Sequence, residues 1–195
     1  MIYFVRHGNK AGESRYNAEL NIMDDPLSER GHADAQRIAA FFRDIHISKI
    51  YASEYIRTQQ TAAPTAKEKG MTVTVDARIN EINGGEFHRL SEAEAAAAYP
   101  EEWHNFVNHL CDVQFPGGES GADVKRRQDS FLADMQKETE DILVVSHDGF
   151  IRLLMCNILG MPVQMRYKFI SEMGGISAVE FDGTEWRILR FNQIV

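Results

Sequence analysis

Two histidines stand where apolar runs end. His7 follows Ile2 to Val5 and Arg6, and His147 follows Ile142 to Val145 and Ser146. A neutral imidazole is a competent nucleophile towards phosphorus. Arg6 and Arg57 are the groups to grip phosphate oxygens, through charge-assisted and often bidentate bonds. Phosphoryl transfer asks for alignment and charge stabilisation more than for elaborate covalent chemistry. Two arginines and two histidines are therefore sufficient without a metal. The remaining need is an acid for the leaving oxygen. Glu81 is the first choice, and Glu86 is its competitor nearby. Gly8 and Gly149, inside the tripeptides Arg6-His7-Gly8 and His147-Asp148-Gly149, permit a close approach of backbone and phosphate.

The elements that must position these groups follow from periodicity. The unbroken apolar run at 2–5 reads as a strand covered on both faces, the habit of parallel sheets, and 141–146 reads as a second strongly apolar strand. Further strands are expected at 49–53, 71–75, 176–181 and 185–191, the last two joined by a turn at Asp182-Gly183. Ser28 caps a helix whose stripe is Ala35, Ile38, Phe42 and Ile45. A helix after residue 54 stops at Gly70, and Pro64 kinks or divides it. Ser91 with Glu94, and Ser120 with Asp123, open two more helices, and Pro100 stands at a first helical position. Trp103, Phe106, Val107 and Leu110 mark an apolar stripe. Phe150, Leu153, Leu154 and Ile158 mark another. Residues 9–26 form a long polar loop.

Strands alternating with helices predict a three-layer αβα sandwich. Its central sheet is mostly parallel, with an antiparallel edge near the C-terminus. Residues 1–195 are expected to form a single catalytic domain, with 76–118 as a small helical cap insertion. Open sheets of this kind bind ligands beyond the carboxyl ends of their strands. Arg6, His7, Ser53, Arg57, Glu81 and His147 all fall at that edge.

The bulk numbers narrow the partners. A net charge of −8 with no Lys/Arg block argues against nucleic acid and against a lipid surface. An anionic ligand must then be met by individual arginines and histidines. Cys111 and Cys156 are too few for a disulfide framework, and Cys156 sits in an apolar pattern as a buried thiol. No signal-like segment and no long apolar run is visible, so a cytoplasmic location is expected. HExxH and clustered Cys/His spacings are absent, so neither a metal nor another cofactor is expected.

These residues resemble the histidine phosphatase superfamily, in its phosphoglycerate mutase-like branch. The similar pieces are VRHG at 5–8, PLSERG at 26–31, SEYIRTQQTA at 53–62, INEINGGEF at 79–87, PGGES at 116–120 and VVSHDGFIRLL at 144–154. They run nearly the whole chain in the family's order. The resemblance implies that His7 takes the phosphoryl group as a phosphohistidine. It implies that Arg6, Arg57 and His147 hold the oxygens, and that Glu81 protonates the leaving oxygen and then helps to deprotonate water. Asn17, and the backbone of Asp148 or Gly149, are implied as further phosphate contacts. The chain departs from the family at RHGNKAGES, where Asn9 stands for an acidic side chain and Lys10 for a hydroxyl one. Lys10 is a candidate cation for a second anionic group on the substrate.

The expected function is thus a phosphomonoester hydrolase acting on a small phosphorylated metabolite, as a monomer or homodimer. Two alternatives stand beside it: a cofactor-dependent phosphoglycerate mutase, and a non-catalytic phosphate-ester binding or scaffold protein. At 195 residues the chain has little room for the insertions that shield a mutase pocket. A binding protein would ordinarily have lost the nucleophile or an arginine. Phe87, Trp103 and Phe106 are candidates for the lining of the substrate cap.

Overall fold

A computed structural model describes residues 1–12, 16–17 and 22–195. The central sheet is built from the two apolar runs. Strands β1 (Ile2–Arg6) and β6 (Ile142–Ser146) lie side by side in parallel. Both are buried on both faces, which is why they lack the polar alternation of an exposed strand. Outward on one side come β4 (Lys49–Ala52) and β5 (Val73–Val75), also parallel. On the other side β7 (Ile176–Phe181) pairs antiparallel with β1, and β8 (Trp186–Gln193) closes the edge. The order is β5-β4-β6-β1-β7-β8. The Asp182-Gly183 turn is where it was expected, and Gly183 takes φ +98°, a value suited to glycine.

Helices cover both faces. Helix α1 (Glu29–Phe42) starts at the Ser28 hydroxyl, which accepts from the Gly31 N–H. Such a cap contributes about 1 kcal/mol. Helix α2 (Ile56–Lys69) runs undivided through Pro64 and ends at Gly70. These two helices pack with Tyr3, Val5, Leu143 and Val145 on one face of the sheet. On the other face, α5 (Gly121–Met135) and α6 (Asp148–Ile158) bury Phe131, Phe150, Leu153 and Leu154 against Phe4 and Val144. This is the three-layer αβα sandwich expected from the sequence.

Between β5 and α5 lie two short 3-10 turns (Ala77–Ile79 and Gly85–His88) and the helices α3 (Glu92–Ala98) and α4 (Pro100–Val107). Both expected capping boxes form, at Ser91/Glu94 and Ser120/Asp123. Half of the expected α4 stripe is a correction, because Val107 and Leu110 are exposed. Phe87 instead gathers Tyr99, Trp103, Phe106 and Phe115 into one aromatic cluster, with ring centroids 5.3–6.1 Å apart. Those rings form the inside of the cap. The expected loop 9–26 carries a two-residue ladder, β2 (Tyr16–Asn17) with β3 (Ile22–Met23). Residues 13–15 and 18–21 of that loop lie outside the described residues.

Candidate active site

Sheet register brings the site together. Arg6 lies level with Ser146, and Ala52 with Val145, so the next residues of three strands leave the sheet at one edge. These are His7, Ser53 and His147. Backbone bonds from His7 N to Ser146 O (3.0 Å) and from Ser53 N to Val145 O (3.3 Å) extend the ladder by one step.

The turn after β1 is held tightly. Gly8 donates to Thr61 Oγ1 on α2, and a Cβ at Gly8 would lie 2.7 Å from Gly31 O. Asn9 is drawn into the same seam. Its N–H donates to Asp34, and its side-chain oxygen accepts from the Ser28 hydroxyl at 2.7 Å. Asn9 therefore clips the turn to the start of α1.

His7 is 5% exposed. Its Nδ1 lies 2.8 Å from Gly8 O, which can only accept, so Nδ1 carries the proton. Nε2 is then left with its lone pair. Burial, then the Arg57 charge, and further off those of Arg6 and Lys10, lower the His7 pKa to about 3, against a raising contribution from the Gly8 carbonyl. The ring is neutral at neutral pH, as a nucleophile must be.

His147 is fully buried, with its ring centroid 5.2 Å from that of His7. Arg57, 7% exposed, donates to His147 Nδ1 at 3.2 Å. The Arg57 guanidinium also lies over the Tyr55 ring, 4.3 Å from its centroid. Arg57 stands in the first turn of α2, whose Ile56 N–H is capped by Asp24 at 2.9 Å. Asn17 donates to the same Asp24 at 3.4 Å, so it touches the strut beneath Arg57. Arg6 donates to Ser171 O and lies 3.5 Å from Asp148, which Arg152 also holds at 2.8 Å.

Glu81 reaches the edge from the loop after the Ala77–Ile79 turn. Its Oε1 accepts from Ile82 N and Phe150 N at 2.9 Å, and its Oε2 from Gly149 N at 3.1 Å. The carboxylate thus occupies the N-terminus of α6, a position favourable to negative charge. The Gly149 N–H, expected to face phosphate, is donated to Glu81. A Cβ at Gly149 would lie 2.6 Å from Glu81 Oε1, so glycine is needed for this approach. Arg127 braces the same loop by donating to Glu81 O and pairing with Glu119.

A cleft of about 1000 Å³ opens over these groups. Its floor is Arg6, His7, Arg57 and Glu81. Its rim includes Lys10, Glu86, His88 and Arg89. Glu86 pairs with Arg89 at 3.4 Å, whereas Glu81 is bound into the floor. Lys10 pairs with the buried Asp25 at 2.9 Å. Among the described residues no three His, Cys, Asp or Glu side chains are grouped to hold a metal. Sequence reasoning missed Tyr55, Arg127 and Asp24. Tyr55 was the most accessible of them, because it stands two residues before Arg57 and faces the same cleft.

This arrangement pairs a neutral nitrogen lone pair with two guanidinium groups and a braced carboxylate, a set able to receive and release a phosphoryl group. The sequence pattern of the histidine phosphatase superfamily (branch 1) matches residues 2–194. Phosphoserine phosphatase 1 of Hydrogenobacter thermophilus is 31% identical over 98% of this chain and 91% of its own. An Enterobacter sp. protein named as a probable phosphoglycerate mutase is 31% identical over 95% of this chain and 86% of its own. In fold, the chain is similar to the alpha-ribazole phosphatase from Shigella flexneri, with a TM-score of 0.82, 22% identity, and coverage of 98% and 96%.

Proposed function

This chain belongs to the histidine phosphatase superfamily, branch 1, and from that premise we propose how its residues divide the work. Its reaction is phosphomonoester hydrolysis on a small phosphorylated substrate, through a histidine. His7 Nε2 attacks phosphorus, forming the N–P bond as the ester P–O bond breaks. Arg6 and Arg57 take the phosphoryl oxygens and stabilise their charge in the transition state. His147 joins them at the same oxygens.

Glu81 enters this step as the neutral acid and gives its proton to the departing alcohol oxygen. Three backbone N–H groups use both lone pairs of Oε1 and one of Oε2, so Oε2 is the atom with capacity for the proton. Once the alcohol has left, the Glu81 carboxylate takes a proton from water. The water oxygen attacks phosphorus, the N–P bond breaks, and inorganic phosphate and neutral His7 are restored. Residues 76–118 act as the cap insertion of one catalytic domain and furnish the rim that meets the alcohol portion.

The observation that carries this reading is the bond from His7 Nδ1 to Gly8 O, which aims the reactive lone pair away from the backbone. Steady-state phosphate release from a panel of phosphorylated metabolites tests it. The panel begins with O-phosphoserine and the phosphoglycerates, because relatives named for those substrates are 31% identical. The account expects release of phosphate to exceed any isomerisation of phosphoglycerate. Isomerisation in excess would contradict it in favour of a mutase.

A further inference from the structure

His147 has both ring nitrogens engaged before any substrate arrives. Arg57 can only donate, so Nδ1 is the acceptor in their 3.2 Å contact. A neutral ring carries one N–H, which then sits on Nε2 and points at Ser53 Oγ, 2.7 Å away. The direction propagates. Ser53 Oγ also accepts from Tyr55 N (3.3 Å) and lies 2.8 Å from Thr58 Oγ1. Thr58 Oγ1 in turn donates to Tyr55 O at 2.7 Å. Ser53, Thr58 and His147 are all fully buried, so no water substitutes for a missing partner at little cost.

The two pocket histidines are therefore opposite tautomers. His7 carries its proton on Nδ1 and His147 on Nε2. The His147 lone pair on Nδ1 faces the side where Arg57 grips, and a lone pair repels a phosphate oxygen.

Building on the phosphohydrolase reading above, we infer that Ser53, backed by Thr58, is a positioning residue that holds His147 as the Nε2–H tautomer, so that His147 engages phosphate only after taking a proton at Nδ1. The phosphate monoanion of the substrate supplies that proton. Its P–O–H bond to hydrogen breaks, the Nδ1–H bond forms, and the net charge of the site is unchanged. The resulting imidazolium donates from Nδ1 to the dianionic phosphate, while Nε2–H stays on Ser53. When inorganic phosphate leaves, it takes the proton back as a monoanion.

The surroundings keep this transfer tied to the ligand. Arg57 and Tyr55 from the start of α2 and His7 from the end of β1 lie against the ring. The charges of Arg127 and Arg6 act on it from further off, and Glu81 acts on Tyr55 and Arg57 beside it. Burial and then the Arg57 charge hold His147 well below the usual imidazole range, and His7, Arg127 and Arg6 add smaller contributions in that direction. An arriving phosphate supplies the countercharge that makes the imidazolium favourable.

The test is a long-range ¹H–¹⁵N correlation spectrum of histidine-labelled protein, with His147 assigned by its loss in His147→Asn. In the free wild type, His147 should show Nε2–H and a bare Nδ1, and His7 the reverse. Added inorganic phosphate near pH 6 should protonate both nitrogens of His147. Ser53→Ala leaves Nε2–H buried without its acceptor while the Arg57 donation at Nδ1 remains, so a second tautomer should appear beside the first and kcat should fall roughly five- to tenfold with KM little changed. Thr58→Val should do the same more weakly, and it stands in if Ser53→Ala fails to fold. A bare Nε2 on His147 in the free wild type would overturn the inference, as would an unchanged tautomer pattern in a folded Ser53 or Thr58 variant. Neither result depends on turnover. An enzyme that hydrolyses phosphomonoesters but shows the wrong tautomer refutes only the role of Ser53. One that releases no phosphate from any ester refutes the functional reading itself.

Discussion

The floor and the rim of the cleft are built on different physical terms. On the floor, His7 and Arg57 are 5% and 7% exposed, and His147 lies fully buried behind them, bonded to Arg57 and Ser53. On the rim, the side chains of Arg89 and Glu86 are 49% and 37% exposed and pair with each other, and Lys10, 50% exposed, pairs with Asp25. Charge–charge contacts gain strength where water is excluded and lose it where water screens them. The floor can therefore fix one chemistry, while the rim can change its partners at small cost. In the proposed division of work, phosphoryl transfer belongs to the first region and discrimination among alcohols to the second.

Substitutions should separate the two regions by size of effect. His7→Ala removes the proposed nucleophile, and hydrolysis of every substrate should fall to background in a steady-state phosphate assay. Arg57→Ala removes a buried donor aimed at developing charge, so kcat should fall roughly 10²- to 10³-fold. Glu81→Ala should cost roughly 10²- to 10⁴-fold with alkyl phosphates, whose leaving oxygen needs a proton. With p-nitrophenyl phosphate, which needs none, the loss should be smaller. Equal losses on both would remove Glu81 from the acid role. Arg89→Ala on the rim should move KM by less than about tenfold, in keeping with an exposed pair, while leaving kcat on p-nitrophenyl phosphate unchanged. If Arg89→Ala instead cost as much as Arg57→Ala, the division between floor and rim would fail.

Stability gives the same contrast a pH signature. His7 is buried neutral with a pKa of about 3, against an ordinary value of 6.5. Between those values the unfolded chain binds a proton that the folded chain refuses. Stability therefore falls as pH drops through that window, by up to about 1.4 kcal/mol per pH unit for this one group. Urea unfolding from pH 6.5 downward should show a shallower loss in His7→Asn than in the wild type. An identical slope would mean that His7 is not held neutral by the fold.

Particular residues show what could be seen from the chain alone. Strands β1 and β6 were legible because both faces are buried, and their polar ends marked Arg6, His7 and His147 as edge residues. Caps at Ser28, Ser91 and Ser120 were legible because a cap is a local bond, made within three residues. The contact of Ser53 with His147 spans 94 residues and depends on β4 and β6 sharing a register, which no local pattern encodes. The same holds for Glu81 at the start of α6, which takes the Gly149 N–H expected to meet phosphate. Phe87, Trp103 and Phe106 were visible as large apolar side chains. Their mutual packing into the cap's interior followed from tertiary contacts.

The measurement that bears most directly on the account is acid-free rapid quench of the wild-type enzyme with substrate, followed by mapping of the phosphorylated peptide. The account predicts a transient phosphohistidine at His7, attached through Nε2, that forms and decays fast enough to carry steady-state turnover. Label on His147, or turnover with no phosphoenzyme at all, would contradict it.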